Sequence, residues 1–177
     1  MTGRRIDRHE FERLFDEFTE SAWRLEIQGT YDEPEEREPL RRFLAGEPDD
    51  LEWMADWFDW VAGLTATGRK IGRVRVLTEP LTDYLRFELS FTGPAVEAGE
   101  DIRVLTARDA NALDLPREDF WLFDDRRVAV LQFGDTGVTT AELIDDPTAV
   151  ARYRAVQQQA MSAAVPYLKW RTTEPSR

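Results

Sequence analysis

The sequence predicts a single-domain α/β fold, a mixed sheet with flanking helices. Apolar and charged residues alternate at period 2 in Trp23–Gln28 and again in Ile71–Leu77, the spacing of strands buried on one face. Between such runs the apolar residues recur at helical spacing. The strand, helix, strand order of Ile71–Leu105 predicts a parallel pair joined by a crossover. At 177 residues the chain suits one domain, expected over 1–171, with 172–177 as a flexible tail.

The elements follow in order. Phe11, Leu14, Phe15, Phe18 and Ala22 fall on one helical stripe that Asp7 is placed to cap. In the strand that follows, Trp23, Leu25 and Ile27 alternate with Arg24, Glu26 and Gln28, so its second face is polar or meets a ligand. Asp32–Pro39 is acidic and proline-punctuated, read as a solvated turn entering a short helix with Leu40, Phe43 and Leu44, which Gly46 and Pro48 end. Residues 50–66 form a helix with a tryptophan-rich face. Ile71–Leu77 is a strand with Val74 and Val76 on one side and Arg73 and Arg75 on the other. A helix starting near Thr82 and Asp83 and a second strand, Ile102–Leu105, complete the crossover. Asp119–Phe133 breaks at Asp124–Arg126 into two antiparallel strands, and Val138–Ile144 adds a third after the Gly134–Gly137 turn. Asp146 and Pro147 open a last helix, running to Tyr167.

Composition removes several functions. A formal charge of −12 opposes attraction to phosphate backbones and anionic membranes, so neither direct nucleic-acid nor membrane binding is expected. There is no cysteine, hence no disulfide, thiolate metal site or cysteine nucleophile. No apolar leader core and no run near the roughly 18 residues of a membrane span is present, and a cytoplasmic protein is expected. His9 is the single histidine, and Lys70 and Lys169 are the lysines, so a Ser-His-Asp or lysine-based constellation cannot be assembled within one chain. The Gly134–Gly137 turn lacks the spacing of a phosphate-binding loop.

The segments AWRLE (Ala22–Glu26), GRVRVLTEPLTDYLRFEL (Gly72–Leu89), AGEDIRVL (Ala98–Leu105) and DFWLFDD (Asp119–Asp125) resemble a family of uncharacterised domains common in actinobacteria. Members of that family look like standalone domains often encoded beside helix-turn-helix regulators, which implies a regulatory or partner role. The layout of strand, crossover, DFWLFDD strand pair and final helix is also similar to a half of the phospholipase D-like fold. Those enzymes carry His-x-Lys-x4-Asp, in which histidine is the phosphate nucleophile and lysine binds the phosphate. Here, with Asp125 as the aspartate, the other two positions hold Glu118 and Phe120; with Asp124 they hold Arg117 and Asp119. The likeness is to a degenerate member that lacks the catalytic motif.

Three groups of residues are candidates for a site. Asp119, Asp124 and Asp125, with Glu100 and Asp101, would be oxygen ligands for a divalent cation if strand ends brought them together, although their spacing matches no established metal loop. The plainer expectation is structural, with no metal and no cofactor. Arg73, Arg75 and Arg103 either enter an internal ion-pair network with Glu26 and Glu88 or line a pocket for an anionic ligand. Trp53, Trp57 and Trp60 either pack in the core or form an aromatic platform, which Asp56 and Asp59 would make acidic and suited to a basic partner. The leading functional expectation is a non-enzymatic regulatory or protein-interaction module acting with a helix-turn-helix transcription regulator. The alternative is a binder of a small anionic ligand, or an enzyme, using the arginines and acids near Asp119. A homodimer is compatible with either.

Overall fold

The computed structural model describes residues 3–173. The chain enters as β1 (Arg4–Asp7) and turns at once into α1 (Arg8–Glu17). Asp7 is both the last strand residue and the helix cap: it accepts the Glu10 N–H at 2.8 Å while the Glu10 side chain reaches back to the Asp7 N–H. After β2 (Ser21–Glu26), a 3-10 turn at Pro34–Glu36 leads into α2 (Arg37–Leu44), and a second at Glu52–Met54 into α3 (Ala55–Ala66). Next come β3 (Lys70–Leu77), α4 (Asp83–Ala98), β4 (Asp101–Thr106) and α5 (Ala107–Ala112). Thr82 caps α4 through the Leu85 N–H, and Gly99, at φ 118°, ends it in a conformation that side chains rarely adopt. A meander of β5 (Phe120–Phe123), β6 (Arg127–Gly134) and β7 (Gly137–Ile144) precedes α6 (Pro147–Ala163), β8 (Val165–Pro166) and α7 (Tyr167–Thr173).

The described strands form one sheet in the order β1-β7-β6-β5-β2-β3-β4-β8. β2, β3 and β4 are mutually parallel and the remaining pairings are antiparallel. Helical crossovers join the parallel strands, and tight turns join β5 to β6 and β6 to β7. Helices cover both faces. On one, Trp23, Leu25, Val74, Val76, Phe120, Leu122, Val128 and Val130 pack against α6 through Val150 and Ala160. On the other, Ala22, Ile71, Phe123, Ala129 and Leu131 meet Phe11 and Leu14 of α1 and Val61 and Leu64 of α3.

The expected mixed α/β sheet is therefore the observed one, with four differences. β1, β8 and α5 are too short to carry a clear period. The last helix stops at Ala163 because Pro166 has no N–H to continue it; Tyr167 then begins α7. The first helix ends at Glu17, so Phe18 and Ala22 continue its apolar stripe from outside it, Ala22 within β2. Thr172 and Thr173, expected in the tail, belong to α7, while 174–177 lie outside the described residues.

Asp124 and Asp125, at φ 52° and 55°, open the β5–β6 turn in the left-handed region that Asp tolerates, and Arg126 completes it before Arg127 pairs with Phe123. The Asp124 carboxylate also accepts the backbone N–H groups of Thr19, Glu20 and Ser21 at 2.9, 2.7 and 2.9 Å, fixing the α1–β2 connection. Burial pushes this carboxyl up, but the hydrogen bonds from Ser21, Thr19 and Glu20 outweigh it and hold it below 3.8. A group depressed in the folded state stabilises above its unfolded value and loses that contribution as pH falls through the folded one. Asp124→Ala is expected to cost about 2–3 kcal/mol in urea unfolding at pH 7. Asp124→Asn should cost less, and the gap between wild type and Asp124→Ala should close as pH falls below about 4.

Candidate functional site

Central parallel strands are usually apolar on both faces. Here β2 and β3 are not. Their register pairs Arg24 with Arg73 and Glu26 with Arg75, and the period of 2 points all four toward the α4 side of the sheet. Beside them lies a cavity of about 390 Å³ walled by α1, the 3-10 turn at Pro34–Glu36, residues 53–57, α4 and the sheet face itself.

Glu26 is the hub of the charges in it. Its Oε1 meets Arg24 at 3.1 Å and Arg73 at 2.7 Å, and its Oε2 meets Arg75 Nε at 2.8 Å. Arg75 extends the network to Thr92 at 3.0 Å and Glu88 at 3.1 Å. Arg73 extends it to Glu100 at 2.6 Å, whose other oxygen accepts the Trp57 indole N–H at 3.2 Å. Arg24 reaches Asp119 at 3.1 Å. Asp119 is 1% exposed and also accepts the Tyr31 hydroxyl at 2.5 Å and the Ile27 N–H at 3.1 Å. Tyr84 donates to Glu36 at the cavity wall.

Burial pushes the Glu26 carboxyl up, but Arg75, Arg73 and Arg24 together hold it far below the ordinary carboxylate range. Glu88 goes the other way. Burial, helped by repulsion from Glu26 and Glu36, outweighs Arg75 and pushes it up to about 8. For Tyr31 and Tyr84 burial is the largest cause of a rise, so both remain phenols. Among the described residues, two buried side-chain polar atoms have no partner: Arg24 Nε and Glu88 Oε2. The rings of Tyr31 and Trp121, 5.3 and 5.9 Å from the Arg24 guanidinium carbon, partly compensate the first. Nothing compensates the second.

The expected site residues divide accordingly. Arg73, Arg75 and Glu100 line the cavity, and Asp119 lies beside it, anchoring Arg24 and Tyr31. Arg103 does not join them. It pairs with Val74 in the register, so it emerges on the opposite face and binds exposed Asp101 at 3.2 Å. Asp124 is spent on the turn at the far end of β5, and Asp125 lies 3.5 Å from Arg154. The imagined cluster of Asp119, Asp124, Glu100 and Asp101 is thus dispersed, and no group of acids or histidines able to hold a metal occurs among the described residues. Trp53, Trp57 and Trp60 are half-buried and turned inward: Trp53 stacks on Phe87, Trp57 bonds Glu100, and Trp60 meets the rings of Phe15 and Phe18. They are cavity wall and core, not a free platform. The acidic turn is a correction too, since Glu33 and Glu36 face the cavity and burial raises both. Arg24, Tyr31, Glu36 and Tyr84 were not singled out from sequence; only Arg24 carried a signal, its place on the polar face of a central strand.

Among the described residues, the lining holds no histidine, lysine, serine or cysteine; its polar groups are arginines, glutamates, Tyr31, Tyr84 and Thr92. The fold defines the class. The chain shares a phospholipase D-like α/β fold with Nuc of Salmonella typhimurium, a phospholipase D family member, at a TM-score of 0.57 and 12% identity over 90% of each chain. NucT from Helicobacter pylori is similar at 0.53 and 11%, over 93% of this chain and 98% of that one. At such identities the likeness is one of fold alone. The chain belongs to the family described as Domain of unknown function (DUF6879), whose model matches residues 9–172. No curated protein matches the sequence. No helix among the described residues is long and apolar enough to cross a membrane.

Two expectations follow from the charge network. Glu26→Gln leaves three buried guanidiniums short of their common partner and should cost about 3–5 kcal/mol in urea unfolding at pH 7. Glu88 gives the opposite pH signature from Asp124. A carboxyl raised in the folded state binds its proton more tightly there, so stability falls as pH rises from about 4.5 toward 8. Glu88→Gln should flatten that fall, and the variant should melt higher than wild type at pH 9.

Proposed function

We propose that this domain is a non-catalytic regulatory module that receives a small polar molecule in the cavity beside Glu26 and passes its occupancy to a protein partner. The observation that carries the reading is a solvent-reachable cavity of about 390 Å³ whose wall holds buried, fixed charges and an unpaired carboxylate oxygen but no histidine or lysine. Cavities of this size with a few convergent polar groups of shifted pKa are the usual form of ligand sites. On a phospholipase D-like fold, Arg117 and Asp119 at the His and Lys positions, with Asp119 tied to Arg24 and Tyr31, speak against phosphodiester transfer.

The partner belongs to the same proposal. The resemblance to actinobacterial domains encoded beside helix-turn-helix regulators supports such a regulator, in the cytoplasm, and a formal charge of −12 suits contact with a basic DNA-binding protein. The test pairs two measurements on the full chain. A thermal-shift screen against nucleotides, acidic metabolites, amines and neutral sugars should yield a ligand class that raises the melting temperature dose-dependently. Affinity purification from the native host should bring down a helix-turn-helix protein, in an amount that changes when that ligand is added. A flat screen would remove the cavity from the reading. Phosphodiesterase turnover lost on Asp119→Asn with folding intact would replace it with an enzyme.

A further inference from the structure

Resting on that reading, we infer that the cavity selects a small organic cation, an ammonium or guanidinium compound, which ion-pairs with the unpartnered oxygen of Glu88. The arginines do not make it an anion site. Arg73 is held between Glu26 and Glu100, and Arg75 among Glu26, Thr92 and Glu88, so an anion would have to break strong buried pairs to reach them. Four arginines face seven glutamates across the lining, and the excess is negative.

What is left without a partner is an acceptor. The Glu88 side chain lines the cavity and is 7% exposed, its Oε1 is taken by Arg75, and its Oε2, buried against the protein, has no partner, so a cation in the cavity meets it by a turn of the carboxyl. The rings of Tyr84, Phe91 and Trp53 line the same cavity, and aromatic faces attract a cation through their quadrupoles. The charged groups that face Glu88 are Arg75 and Arg73 from β3, Glu26 from β2 and Glu36 from the 3-10 turn, the last receiving the Tyr84 hydroxyl. With Glu88 protonated in the empty cavity, a bound cation restores the carboxylate and expels its proton to solvent. Binding is then coupled to pH.

Isothermal titration of the full chain with agmatine, putrescine and choline, against citrate, AMP and ribose, decides the matter. At least one cation is expected to bind, with affinity rising about tenfold or more between pH 6 and 8. Titrations in buffers of different ionisation heat should report release of up to about one proton per cation near pH 7. Glu88→Gln should weaken binding about tenfold or more while keeping the wild-type melting temperature near pH 6, where Glu88 is protonated; if that variant does not fold, proton release by the wild type still decides. Binding of citrate, AMP or ribose but of none of the cations would leave the cavity reading standing and overturn this inference. Cation binding without proton release and indifferent to Glu88→Gln would also overturn it. No binding by any probe would count against both.

Discussion

Four charged side chains on two neighbouring parallel strands, Arg24 and Glu26 of β2 and Arg73 and Arg75 of β3, point to one face of the sheet because the strand period leaves no alternative. Taking such ions from water costs several kcal/mol each unless each finds close partners. Much of the architecture on that face supplies them. Glu88 and Thr92 come from α4, Glu100 from the turn that Gly99 makes possible, Asp119 from the first residue before β5, and Tyr31 from the chain that leaves β2. Side chains as long as arginine also hold the covering helices off the sheet. The cavity follows from the same constraint as the ion pairs.

The two faces accordingly do different work. Against α6 the sheet presents an apolar surface across β2, β3, β5 and β6, with Arg103 of β4 at its margin, and this surface supplies much of the burial that stabilises the domain. Against α1, α3 and α4 the apolar packing is interrupted at its centre, with Phe11, Leu14 and Val61 on one side and Tyr31, Tyr84, Phe87 and Phe91 on the other. Nuc and NucT show that this arrangement of strands and helices recurs at 11–12% identity.

Much of this was legible in the sequence, for identifiable reasons. Strands and helices with several turns of clear period, such as Ile71–Leu77 and the helix that Thr82 caps, declare themselves locally. So did the hairpin at Asp124, whereas ion pairs of Arg73 and Arg75 with Glu26 and Glu88 were one of two alternatives that their alternation left open. The two-residue β8 and the four-residue β1 declare nothing, because they exist through pairing with β4 and β7. Arg103 was grouped with Arg73 and Arg75 because all three alternate with apolar neighbours. Which face an alternating strand turns inward depends on the register between β3 and β4, and that is a tertiary property. Asp32–Pro39 misled for a related reason: acidic, proline-punctuated composition reads as solvated, yet the 3-10 turn lays Glu36 against Tyr84.

A network evolved for rigidity alone would be expected to close on itself, since a buried acceptor without a donor costs about 1–3 kcal/mol. Glu26 and Asp119 do close, each accepting from several donors. Glu88 does not. It stands where Arg75 is already shared with Glu26, and Glu36 nearby adds a like charge, so the cheaper state of the empty domain is a protonated acid. A leucine or methionine there would fill the space and remove the penalty, as replacements of buried ion pairs often do. An ionisable group that the protein itself leaves half-satisfied, in the wall of a cavity reachable from solvent, is what the proposed ligand would complete.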